Sequence, residues 1–109
     1  MDILVKGKPI KCKPAVTEWQ KAVGLMFKSN IQPMIFVFKK EKKHAFHTFF
    51  MLKSIDMVFV NSEKVVVDKI TALPFRVHIR PKKPARYVIE LPLGEGINFK
   101  LGQKIGIPV

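Results

Sequence analysis

The chain has 109 residues, 48% of them hydrophobic, and 20 Lys+Arg against 8 Asp+Glu give it a formal net charge of +12. That length suits one domain, that apolar fraction excludes a disordered chain, and no run approaches the roughly 20 apolar residues of a membrane-crossing helix. Cys12 is the single cysteine, which excludes an internal disulfide and a multi-cysteine zinc site.

The N-terminal stretch "MDILVKGKPIKCKP" lacks the apolar run and small-residue cleavage site of a signal peptide, so the expected location is cytoplasmic. Within it, residues 2–6 alternate apolar and polar and predict a strand. A turn at "GK" leads to a second alternating strand at 9–13, with Lys11 and Lys13 toward solvent. Cys12 lies between those lysines, which favour its thiolate. No histidine is near it in sequence, so the reading is an inert thiol on a β segment.

The helix signal is "VTEWQKAVGLMF". Thr17 is a natural N-cap, Glu18 suits the positive helix start, and Gly24 can end the helix in the left-handed region. About two turns result, with Trp19 and Val23 on one face. Leu25, Met26 and Phe27 then predict an apolar core plug.

From residue 34 onward the chain is β-rich. Strands are expected at 34–38, 45–52, 55–60, 64–70, 86–92 and 103–109, all dense in β-branched and aromatic residues. "KKEKK" (39–43) and "NSE" (61–63) predict turns that join consecutive strands as hairpins. Residues 74–84 and 93–102, rich in Pro and Gly, predict loops. Several strands are apolar on both faces, "AFHTFFML" (45–52) most clearly. The expected fold is therefore α+β and β-rich: a small, mostly antiparallel β-barrel or β-roll with one short helix, forming a single domain over 1–109.

The pieces "GLMFK" (24–28), "MIFVF" (34–38), "HTFFMLKSIDMVFVNSEKVVVDKI" (47–70), "YVIELPLGEG" (87–96) and "LGQKIGI" (101–107) resemble, in order and spacing, the DUF192 family of small uncharacterised proteins. The resemblance implies one compact β-rich domain and no established reaction. Bacterial members often carry a tryptophan–methionine–lysine–asparagine segment where this chain has "FFMLKS". The departure, with His-x-Phe-Phe ahead of Ile-Asp, looks like the archaeal branch. Ser54 stands where that family commonly has proline.

Three polar residues interrupt the apolar runs. His47 shares a strand face with Phe49 and Met51, Asp56 sits between Ile55 and Met57, and Glu90 between Ile89 and Leu91. An unpaired buried carboxylate is costly, so each acid needs a cation or several N–H donors. One arrangement gathers His47, Asp56 and Glu90 around a ligand pocket. The other has Asp56 binding backbone amides at a strand end, Glu90 pairing with Arg86 or Arg76, and His47 at the rim of the core. His44 reads as a solvated turn residue, and His78, between Arg76 and Arg80, as an exposed edge or anion-facing residue.

The charge surplus attracts polyanions. Arg76, Arg80, Lys82, Lys83 and Arg86 form a proline-stiffened basic loop suited to nucleic acid or an acidic protein. Only three of the twenty cations are arginine, which favours unspecific phosphate attraction over base reading. "LGEG" (93–96) can offer amides to an anion, with no helix expected after it. No nucleophile-elbow, Walker, HExxH or dinucleotide motif occurs. No catalytic residue, metal ligand set or cofactor is assigned. The expectation is a non-catalytic binding module with a small polar pocket, the alternative being unspecific nucleic-acid or polyanion binding.

Overall fold

The computed structural model describes residues 1–24 and 26–109, the side chains of Glu18, Ala22 and Val23 apart. Strands β1 (Asp2–Val5) and β2 (Lys8–Lys11) form a two-stranded antiparallel hairpin. Its turn is Lys6–Gly7, both at positive φ (53° and 76°). That is the two-residue geometry matching the right-handed twist of hairpin strands, and glycine takes it without strain.

Five more strands form one mixed sheet: β3 (Lys13–Ala15), β4 (Met34–Lys42), β5 (Ile55–Val60), β6 (Val66–Ala72) and β7 (Ala85–Pro92), in the order β3-β4-β7-β5-β6. β3 runs parallel to β4 and the other pairings are antiparallel. Helix α1 (Glu18–Val23) carries a full capping box, with the Thr17 hydroxyl accepting from Gln20 N–H and the Gln20 side chain accepting from Thr17 N–H. Gly24, at φ 49°, ends it by donating its N–H to Gln20 O at 2.9 Å. The expected Trp19–Val23 contact and the place of Leu25 in a plug lie outside the described residues, and Phe27 projects into solvent instead of filling a core.

The sheet is open, with β3 and β6 at its edges, and not a closed barrel. The apolar character of both strand faces has another cause: β5 and β7 are the middle of three layers. Val58, Val60, Tyr87, Ile89 and Leu91 face one cluster, closed by Ile3 and Val5 of the hairpin with Phe99, Ile105 and Ile107. Met57, Phe59 and Val88 face the other with Met34 and Phe36, covered by Ala15, Ile31 and Met51. Covering both sides of a sheet removes apolar area from water as effectively as closing it.

Two expected strands are absent as such. Residues 45–52 form no ladder strand; Phe46 makes one bridge to Ile79. They cannot pair with β5, because β6 and β7 already occupy both of its edges. For the same reason β4 and β5 are not a hairpin. Residues 103–109 make only single bridges, Val65 to Lys104 and Leu4 to Gly106, while placing Ile105 and Ile107 in the core. "KKEKK" mostly continues β4, since Lys42 pairs with Ala85 beyond an irregularity. The expected "NSE" turn is present, and Asn61 Oδ1 holds it by accepting from Glu63 and Val65 N–H, each at 3.0 Å.

Candidate functional site

Asp56 sits on β5, on the face toward the 3-10 helix Glu95–Asn98. Its Oδ1 accepts from the Thr71 hydroxyl at 2.9 Å, and its Oδ2 from the Gly94 and Gly96 N–H groups at 2.9 Å each. Lys69 Nζ, on β6, completes the clasp by donating to Gly96 O at 3.2 Å and Phe99 O at 2.8 Å. A Cβ on Gly96 would stand 2.9 Å from Asp56 Oδ2, so only glycine lets the loop come this close. The amides of "LGEG" do hold an anion, and that anion is Asp56. A short helix follows them, contrary to expectation. A cleft of about 480 Å³ opens beside the clasp, walled by Met57, Lys69, Leu93 and Ile97.

Glu90 occupies β7 across from Met34 and Met57. It is 6% exposed, and burial alone pushes its carboxyl up to about 8. The expected pairing with Arg86 or Arg76 does not form among the described residues: Arg86 Nε donates to Phe38 O at 3.0 Å and its guanidinium lies over the Tyr87 ring. Met57 belongs to one core cluster while Val58, its neighbour in sequence, belongs to the other. Glu90 therefore faces away from Asp56, and His47 is exposed on a third segment. The structure does not gather His47, Asp56 and Glu90 around one pocket.

His47 belongs to a different assembly. Three segments, 26–28, 46–52 and 73–79, are tied to one another through their backbones. Phe46 and Ile79 exchange both N–H···O bonds, at 2.9 and 3.0 Å. Buried Thr48 is the hub: its N–H donates to Arg76 O, its carbonyl accepts from Phe75 N–H, and its hydroxyl donates to Leu73 O while accepting from Arg76 N–H. Phe27 N–H reaches Phe50 O at 2.8 Å.

On this frame stand four phenylalanines exposed to water: Phe27 (68%), Phe49 (47%), Phe50 (50%) and Phe75 (69%). Leu52, Leu73 and Val77 beside them are about half exposed. Phe50 touches Phe27 (centroids 5.4 Å apart) and Phe49 (6.4 Å), and His47 lies 6.1 Å from Phe49. A groove of about 290 Å³ runs between Ala45, Phe46, His47 and Phe49 on one side and Val77 and His78 on the other. Phe27, Phe75 and His78 adopt φ of 57°, 62° and 57°, a region that bulky side chains rarely enter. His44, by contrast, is not simply solvated, since it stacks on Phe38 at 3.8 Å.

The sequence expectation placed Phe27 in the core and Phe49 in a strand. Nothing in the sequence pattern signalled their display, because adjacent apolar residues are also buried together where both strand faces are covered, as along β5.

Arg76, Arg80, Lys82 and Lys83 are exposed, and Arg86 is half-buried at the start of β7. Lys82 lends its backbone N–H to Asp68 Oδ2 at 2.8 Å. Residues 26–33, 44–54 and 73–84 together hold six Lys or Arg, all three histidines, and no Asp or Glu. Phe27, Phe50 and Phe49 form a chain of ring contacts, whereas Tyr87 is buried. Cys12 is buried, and desolvation pushes its thiol up to about 11, which disfavours the thiolate. Among the described residues no group of three or more His, Cys, Asp or Glu is placed to hold a metal, and no helix is long and apolar enough to cross a membrane.

Comparison with known proteins agrees with this architecture. A solved structure of a protein of unknown function from Novosphingobium aromaticivorans has the same fold, with TM-score 0.88 at 22% identity over 98% of this chain and 84% of that one. A second, from Sinorhizobium meliloti, gives TM-score 0.82 at 20% identity over 95% of this chain and 88% of the other. UPF0127 proteins of archaea are similar in sequence: that of Pyrococcus horikoshii is 43% identical over 90 residues, covering 79% of this chain and 77% of its own. That of Pyrococcus furiosus is 33% identical over 108 residues, covering 94% and 92%. The model of the family DUF192, described as "Uncharacterized ACR", matches residues 1–107. The chain belongs to the DUF192 family.

Proposed function

We propose that the protein is a non-catalytic binding module that takes its partner on the surface built by segments 26–28, 46–52 and 73–79. The observation that carries this is the exposure of Phe27, Phe49, Phe50 and Phe75 on a frame fixed by backbone hydrogen bonds. Displaying apolar rings to water is unfavourable for the free protein, and a contiguous group of them marks an interaction surface more often than a solvated one. Hydrogen bonds that hold the frame in the unbound chain lower the entropy of ordering the loops on association.

Of the three candidate pocket residues, only His47 borders this surface. Asp56 is engaged in holding the 93–99 loop, and Glu90 lies inside. A second reading, polyanion binding through Arg76, Arg80, Lys82, Lys83 and Arg86, is favoured by one observation: the loops that carry the first four have no carboxylate of their own. It predicts affinity falling steeply with salt.

A photo-crosslinking phenylalanine analogue at position 50, in cells, tests the surface, with the same analogue at Ile97 as a control. Ile97 is at least as exposed but stands on the Glu95–Asn98 turn, beside the Asp56 clasp. Adducts specific to position 50 support the proposal whatever the partner's class. Equal or absent adducts at the two positions overturn it.

A further inference from the structure

We propose that this surface docks on an anionic lipid bilayer, the four phenylalanines entering the acyl boundary while the loop cations lie among the headgroups. The inference rests on the binding-surface reading above and names its occupant.

Side-chain chemistry favours lipid over a protein groove. The displayed aromatics Phe27, Phe49, Phe50 and Phe75 have no polar handle, whereas protein hot spots favour Trp, Tyr and Arg. The chain's single Tyr, Tyr87, is buried. Its single Trp, Trp19, is exposed and shares the wall of a cleft with Lys28, the residue after Phe27, which suits an indole at headgroup level. The groove among the loops, about 290 Å³, falls at the lower limit of dedicated small-molecule pockets.

Charge points the same way. Lys28 follows Phe27, Lys53 follows Leu52 and Arg76 follows Phe75, so each of the three segments has a cation next to one of its apolar side chains. Arg80, Lys82 and Lys83 extend the set, and no carboxylate within these segments opposes them. A cation held near an anionic leaflet strengthens binding by roughly fivefold. Apolar insertion and a basic rim are the two signals whose combination gives stable peripheral attachment, each alone being marginal. Lysine predominates over arginine, 17 to 3, as diffuse attraction to headgroups requires and bidentate recognition does not.

Co-sedimentation of the full chain with vesicles is the test, comparing phosphatidylcholine alone with a 7:3 mixture of phosphatidylcholine and phosphatidylglycerol. Binding to the mixed vesicles is expected to exceed that to the neutral ones by about tenfold or more and to weaken with salt. Phe49→Ser with Phe50→Ser should lower it by about tenfold while leaving the thermal transition near that of the wild type. Phe27→Ser with Phe75→Ser is an independent second variant should the first fail to fold. No binding to the mixed vesicles overturns the inference. So does binding that the phenylalanine variants leave intact, which would be adsorption of a chain of charge +12. If vesicles fail while position 50 crosslinks to RNA or protein, the surface stands and the lipid is wrong. If both fail, the surface reading falls with it.

Discussion

Asp56 and Glu90 stand one rung apart on neighbouring antiparallel strands, and their side chains leave opposite faces of the sheet. Asp56 pairs with Leu91 and Met57 with Glu90, so a single step along β5 exchanges one core cluster for the other. Their fates differ accordingly. Asp56 meets three donors from Thr71, Gly94 and Gly96, and Glu90 meets methionines.

Glu90 should make stability depend on pH. Burial raises its carboxyl from 4.5 to about 8 in the folded protein. Below pH 4.5 both states are protonated and the group contributes no penalty. Between 4.5 and 8 the unfolded chain releases the proton while the folded one keeps it, so stability falls as pH rises, levelling above 8. Glu90→Gln removes the titration and should be more stable than wild type at pH 8.5, by on the order of 2–4 kcal/mol. Denaturant midpoints of both proteins from pH 4 to 9 check this. Parallel curves would show that Glu90 titrates normally.

Asp56→Ala should act through the 93–99 loop. It orphans two backbone N–H groups and a hydroxyl, a loss of about 2–4 kcal/mol. Amide exchange at Gly94 and Gly96 should accelerate more than that at the β5–β7 ladder. Gly96→Ala should reproduce the effect from the other side, because its Cβ would stand 2.9 Å from the carboxylate oxygen. Unchanged loop exchange in both variants would remove the clasp from the account.

How much of this was legible in the sequence follows from the range of the interactions. Local signals were sufficient for the capped helix at Thr17, the strand at 55–60 and the Asn61 turn, because each is set by residues within a few positions. The two-faced burial of "IDMVFV" was visible, but closing the sheet and covering it produce the same pattern. The cover comes from residues 1–11 and 99–107, far away in sequence. The amide-binding role of Asp56 was foreseeable from chemistry alone, whereas which amides it binds depended on β5 and the 93–99 loop meeting. The phenylalanine surface was least legible. "AFHTFFML" has strand composition, yet both edges of β5, the strand that follows it, are taken by β6 and β7.

Thr48 is where that surface is most open to attack without altering a ring. Its hydroxyl donates to Leu73 O at 2.6 Å and accepts from Arg76 N–H at 2.9 Å. Thr48→Val keeps the shape and leaves both partners unsatisfied, a loss of about 2 kcal/mol. Proteolysis within 73–79 should rise, and binding to the surface's partner should fall severalfold although all four phenylalanines remain. Unaltered cleavage and binding would mean that the loops hold themselves without it.

Phe75 sets stability against display. At φ 62° it occupies a backbone region that disfavours side chains with a Cβ, by about 1–2 kcal/mol, and asparagine tolerates it better. Its ring is 69% exposed, so little burial is lost on removing it. Phe75→Asn should therefore raise stability by about 0.5–1 kcal/mol, while Phe75→Ala, which keeps the disfavoured backbone, should change it little. Both should weaken binding alike, since each removes the same ring. A thermal melt and a binding titration on the two variants separate the effects. If both substitutions instead destabilise by more than about 1 kcal/mol, the ring supports the fold. Its exposure would then be no sign of function.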